Sequence, residues 1–249
     1  MMESCLIDME NKDYSYLDRN VERIKNEIID AAARSGRDAD GVTLMSAVKS
    51  ADVGEINYIH RVLGISDIGE NRVQQLLERY ELLDREGLRI HFIGSLQTNK
   101  VKYIIDKVDL IHSLDSSRLA EEIDKQAKKH GLIARVLVEI NSGGEESKGG
   151  IDPIEAESFC LSLKKYENIE LCGFMTMAPR CDNKEDYYKY FNNTREIAQR
   201  IWRNVLGCEG EPIISMGMSE SFCEAIECGA TIVRVGRSMF EKSFKKNVI

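Results

Sequence analysis

Short apolar, β-branched runs recur along the chain, at VTLMSAV (42–48), ISDI (65–68), RIHFIG (89–94), DLIHSL (109–114), ARVLVEIN (134–141), ELCGFMTM (170–177), PIISMG (212–217) and TIVRVG (231–236). Runs of this length between polar turns read as strands. ISDI is the weakest, being short and carrying Ser66 and Asp67. Helical periods lie between the runs. From Tyr16 to Ala33, Leu17, Val21, Ile24, Ile28 and Ala32 recur at spacings of three and four, one face of a helix. RVQQLLERYELL sets Val73, Leu76, Leu77, Tyr80 and Leu83 on one side. SSRLAEEIDKQAKKH opens on serines and closes on lysines and a histidine, in agreement with the helix dipole. IEAESFCLSLKKY and DYYKYFNNTREIAQRIW also read as helices. Asp52 with Glu55, and Ser221 with Glu224, stand at capping-box spacing.

Eight strands alternating with helices predict an α/β protein, a (β/α)8 TIM barrel with an extra N-terminal helix. An open doubly wound sheet is the alternative. It would show fewer strands, and a dinucleotide binder would carry G-x-G-x-x-G after the first strand; no such motif follows Val48.

The chain's 249 residues suit one barrel domain spanning 1–249. The net charge of −8 argues against nucleic acid and against anionic membrane, since both call for a basic face. Any anion site must therefore be built locally. Seven cysteines, an odd number without a C-x-x-C pair, fit reduced thiols in a cytoplasmic protein. The mixed, acidic N-terminus does not read as a signal peptide, and no apolar run reaches the ~20 residues of a membrane helix.

Barrel chemistry sits at the C-terminal ends of the strands. The first strand runs straight into Lys49. The second leads to Asn71 in GENRVQQ, the third carries His91, the sixth carries Met175, and the seventh begins SMGMS with Ser215 and Ser219. The eighth gives Arg234, Gly236 and Arg237. Loops after strands seven and eight often bind phosphate, and the glycine of RVGRS lets the backbone approach a ligand. A lysine on one side of the mouth and a phosphate cradle on the other suit a phosphorylated aldehyde held as a Schiff base, of which pyridoxal 5′-phosphate (PLP) is the commonest. Arg234 could meet its ring nitrogen. Each feature has a plainer reading. Position alone favours Lys49 as a solvated strand end. SMGMS also serves as a helix cap, His91 as a core histidine bonded to a backbone group, and GGEESKGG as a solvated flexible loop.

LMSAVK, GENRVQQLLE, HFIGSLQTNKVK, IHSLDSSRLAEEI, VLVEINSGGEESKGGI, LCGFMTMAP, SMGMSESFCEAI and RVGRSMF, from about residue 40 to 240, resemble the pyridoxal phosphate homeostasis protein family. Its fold is similar to the N-terminal barrel of alanine racemase. The resemblance implies a covalent aldimine of PLP on Lys49. It implies phosphate binding by Ser219, Gly236 and Arg237, the last two through backbone N–H groups, and Arg234 at the pyridine nitrogen. Asn71, His91, Met175 and Ser215 would surround the ring. The family's Ser-Lys-Thr-Lys-Pro run is Val48, Lys49, Ser50, Ala51, Asp52 here, its tryptophan before HFIG is Ile90, and the second histidine of HFIGH is Ser95. The expected role is intracellular PLP supply without catalysis, by a monomer that lacks a racemase-type second domain, with apo-forms of PLP-dependent enzymes as partners. A slow amino-acid racemase is the alternative. A third is an unrelated phosphate-binding barrel enzyme in which Lys49 acts as a base or makes a substrate Schiff base.

Overall fold

The computed structural model describes residues 12–144 and 149–243. Cys5 and positions 145–148, the centre of GGEESKGG, lie outside them. Eight strands form a closed barrel in chain order: β1 (Thr43–Ala47), β2 (Asp67–Glu70), β3 (Arg89–Phe92), β4 (Leu110–Leu114), β5 (Ala134–Ile140), β6 (Ile169–Thr176), β7 (Ile213–Ser215) and β8 (Ile232–Val235). Each pairs in parallel with the next, and β8 closes on β1 with Thr43 opposite Ile232. All eight expected strands are present, and the open sheet is excluded.

The helices are α1 (Ser15–Arg34), α2 (Val53–Arg61), α3 (Val73–Arg79), α4 (Ser117–His130), α5 (Ala156–Leu163), α6 (Lys184–Arg200), α7 (Phe222–Glu227) and α8 (Arg237–Phe240). A 3-10 segment, Thr98–Tyr103, stands in for a helix between β3 and β4. α1 buries Leu17, Val21, Ile24 and Ile28, and packs on α7 and α8. It also holds the end of α8. Asn20 Nδ2 donates to the Met239 and Glu241 carbonyls at 2.8 and 3.1 Å, and Arg23 Nη2 to the Ser238 carbonyl at 2.9 Å. These bonds satisfy carbonyls that a four-residue helix leaves unpaired.

Several boundaries depart from the pattern for local reasons. β2 begins at Asp67, two residues after the expected start, and Ile65 instead donates its N–H to the Ile59 carbonyl behind α2. Asp67 is tolerated in the strand because two partners satisfy it, as described below. β1 stops at Ala47 rather than running to Lys49. β7 stops at Ser215 because Gly217 turns into the left-handed region (φ 87°). A Cβ there would lie 2.5 Å from Ala225 Cβ, so only glycine fits. The Asp52–Glu55 capping box forms, at 2.9 and 2.7 Å. The Ser221–Glu224 box does not. Ser221 Oγ accepts the Met218 N–H at 3.3 Å, tightening the SMGMS turn, and the Glu224 carboxylate faces Lys184 at 3.8 Å.

Two apolar cores result. The larger lies between strands and helices. The smaller, inside the barrel, gathers Met45, Ile93, Leu110, Leu137, Cys172, Met175 and Ile232. Among the described residues no helix is long and apolar enough to cross a membrane.

Candidate functional site

A cavity of about 700 Å³ opens at the C-terminal end of the barrel, within the range usual for small-molecule sites, roughly 300–1,000 Å³. Lys49, Asn71, Ser219, Arg234, Gly236 and Arg237 all line it. Six of the nine residues singled out from sequence therefore share one site. His91, Met175 and Ser215 are buried inside the barrel and do not line the cavity.

Lys49 is exposed, and it sits on a turn rather than at a strand end. The Ala51 N–H donates to the Val48 carbonyl at 3.1 Å, which places Lys49 and Ser50 at the turn's two central positions. The capped start of α2 follows directly. On the adjacent wall, Gly236 brings the end of β8 against the end of β1. A Cβ there would lie 2.6 Å from the Ala47 carbonyl oxygen, so the start of α8 runs beside the strand that leads to Lys49. Ser219 Oγ accepts the Ser238 N–H at 3.1 Å, which fixes the hydroxyl and leaves its proton to be donated. Arg237 pairs with Glu220 at 2.8 Å.

Arg234 is 4% exposed. Its Nη1 donates to Ser215 Oγ at 2.7 Å and its Nη2 to the Thr176 carbonyl at 2.8 Å. Burial lowers its pKa to about 10, with Glu139 opposing. It stays cationic at neutral pH. Glu139, on β5, is itself raised to about 7 by burial, then by Asp115, with Arg234 opposing. Burial raises Asp115 as well.

Behind Arg234 a single hydrogen-bonded chain crosses the barrel. Ser215 Oγ lies 3.0 Å from His112 Nδ1, His112 Nε2 lies 2.9 Å from His91 Nδ1, and His91 Nε2 lies 3.0 Å from Asp67 Oδ1. Arg89 closes it at the far rim with two bonds to Asp67, at 2.7 and 2.5 Å. A proton arrangement that serves every link has Arg234 donating to Ser215, Ser215 to His112, His112 to His91 and His91 to Asp67. Burial, then His91 and Arg234, push the His112 pKa well below the usual histidine value, which keeps it neutral. Burial would raise Asp67, but bonds from His91 and Arg89 outweigh it and hold the carboxyl below its ordinary range. His91 is thus a core histidine, bonded to side chains rather than to the backbone.

The residues 14–243 match the family model described as alanine racemase, N-terminal domain. A pyridoxal phosphate homeostasis protein of Aquifex aeolicus (strain VF5) is 43% identical over 226 residues, covering 90% of this chain and 95% of the relative. The chain belongs to the pyridoxal phosphate homeostasis protein family. Among solved structures, a protein described as unknown from Bifidobacterium adolescentis superposes with a TM-score of 0.82 at 33% identity, covering 92% of this chain and 97% of that one. PipY of Synechococcus elongatus PCC7942, solved with PLP bound, superposes with a TM-score of 0.75 at 27% identity, covering 86% and 100%.

In this member of the family, the cavity has lining that motif reading did not single out. Met177, Arg180 and Tyr187 come from the β6 side, and Met218 from the SMGMS turn. Met177 and Met218 are partly solvent-exposed at 38% and 42%, an adaptable apolar rim. Asp67 and His112 were also missed as interior polar residues. The signal was available, since a polar side chain within an apolar strand needs a partner across the barrel.

Proposed function

We propose that this protein holds PLP covalently at Lys49 and serves its supply and homeostasis rather than a catalysed reaction. The observation that carries the reading is one cavity with Lys49 on its β1 side and Ser219, Gly236, Arg237 and Arg234 on its β7–β8 side. These residues fit the cofactor. Ser219 has a hydroxyl proton to donate, and the start of α8 offers backbone N–H groups where glycine allows close approach. PLP, when bound, supplies an aldehyde that condenses with an amine with loss of one water, and a ring that can take up electrons. Lys49 provides that amine from an exposed turn. Arg234 remains a cation and a donor near neutral pH, so a ring nitrogen facing it stays unprotonated and the ring is a weak electron sink.

The second reading is slow amino-acid racemisation. It draws on Tyr187, whose phenol lines the cavity and accepts the Cys181 N–H at 3.3 Å, leaving its proton available. Incubating the PLP-loaded protein with alanine in deuterium oxide separates the two. The carrier reading expects no α-deuterium beyond that formed by free PLP. Lys49-dependent exchange with repeated turnover would replace it with the racemase.

A further inference from the structure

The Lys49 turn is held from below by one helix. Arg79 of α3 is 5% exposed, and its Nη1 donates to both the Val48 and the Ala51 carbonyls at 3.2 Å. Gln75, one turn earlier on α3, donates from Nε2 to the Lys49 carbonyl at 3.0 Å. Three carbonyls within four residues are thus bound by two side chains four positions apart, on one face of the helix. Arg79 is in turn fixed by Glu70 at the end of β2. Its Nη2 donates to Glu70 Oε2 at 3.1 Å, and its Nε lies 2.8 Å from Oε1 while directing its hydrogen to the Gln75 carbonyl at 3.3 Å. Glu70 is fully buried.

An ion pair this deep is a poor choice for stability alone. Burial pushes Glu70 up to about 7 and lowers Arg79 despite their attraction. Apolar residues of similar volume at such a pair are often neutral or stabilising. The pair does what apolar residues cannot, since a guanidinium fork can bond two carbonyls and a carboxylate at once. Without it, the Val48 and Ala51 carbonyls would lose a buried donor at the residues flanking the amine.

We infer that Arg79, oriented by Glu70 and assisted by Gln75, is a positioning residue that pre-sets the Lys49 turn for reaction with an aldehyde. The inference rests on the reading of Lys49 as the cofactor's anchor, but the turn itself can be measured without cofactor.

The test compares wild type, Gln75→Ala, and the double variant Glu70→Met/Arg79→Met, which removes the pair while keeping the interior apolar. Two quantities are read: amide hydrogen exchange at Ala51 in the cofactor-free protein, and the rate at which added PLP is fixed to Lys49 by borohydride. The double variant is expected to stay folded, to exchange Ala51 about tenfold faster, and to fix PLP about tenfold more slowly. Gln75→Ala, at a partly exposed site, moves both in the same direction by less, and covers the case in which the double variant does not fold. A folded double variant with unchanged exchange and unchanged fixation overturns the positioning role. So does Gln75→Ala matching wild type in both if the double variant fails to fold. Wild type that shows the protected Ala51 amide but fixes no PLP at Lys49 overturns the anchor reading instead.

Discussion

His112→Phe cuts the interior hydrogen-bond chain at its centre with an apolar ring. His112 is fully buried, 2.9 Å from His91 Nδ1 and 3.0 Å from Ser215 Oγ. Phenylalanine can neither donate to His91 nor accept from Ser215. Two buried polar groups lose a partner, at about 1–3 kcal/mol each. The loss is therefore roughly 2–6 kcal/mol, a large part of the ~5–15 kcal/mol that holds a typical domain. For a chain of this size each kcal/mol moves Tm by about 2–4 °C. Scanning calorimetry and urea unfolding would read a Tm fall on the order of 5–20 °C. Ser215→Ala supplies the control, because a hydroxyl left with only its bond from Arg234 costs less to remove in the His112→Phe background than in wild type. The two losses should fall short of additivity by about 0.5–3 kcal/mol. Stability within about 0.5 kcal/mol of wild type, or strict additivity with Ser215→Ala, would refute the chain as drawn.

Gly217→Ala combines a left-handed backbone (φ 87°) with a Cβ contact of 2.5 Å to Ala225. It should cost about 1–3 kcal/mol or more in urea unfolding, where Gly87→Ala, with no atom within 4 Å of its Cβ, bears only the backbone strain. Glu139 has a folded pKa of about 7 against an ordinary 4.5. Its contribution to stability is complete below pH 4.5 and is lost as pH rises through 7, about 3 kcal/mol across that window. Glu139→Gln should therefore flatten the stability profile between pH 4.5 and 8, gaining on wild type as pH rises; parallel profiles would count against a carboxyl held neutral. Asn20→Ala removes the α1 bonds to the Met239 and Glu241 carbonyls. It should raise amide exchange in α8 several-fold while leaving the β3–β4 strands unchanged.

The barrel was legible in the sequence because its strands are buried on both sides and so read as continuous apolar runs, each ended by a polar turn. The exceptions mark where interior polarity replaces that pattern. ISDI was two residues out because Asp67 looks like a strand end, whereas its carboxylate is the anchor for His91 and Arg89. The cavity's Lys49, Asn71, Ser219, Arg234, Gly236 and Arg237 could be read off the strand ends, since a barrel gathers those ends at one mouth. His91, Met175 and Ser215 were as visible but lie inside the barrel, because alternate residues of a strand point to opposite faces and those facing inward sit at different depths. Arg79 and Gln75 could not be found by pattern. In sequence they are ordinary polar positions of a short helix, and only the packing of α3 under the turn gives them carbonyls to bind.

Borohydride reduction of the full-length protein incubated with PLP, followed by peptide mapping and by the same treatment of Lys49→Ala, tests the central claim most directly. One phosphopyridoxyl group is expected, on Lys49, with a Lys49→Ala protein that keeps its fold and takes up no label above background. Labelling spread over surface lysines, or equal labelling of the Lys49→Ala protein, would contradict it.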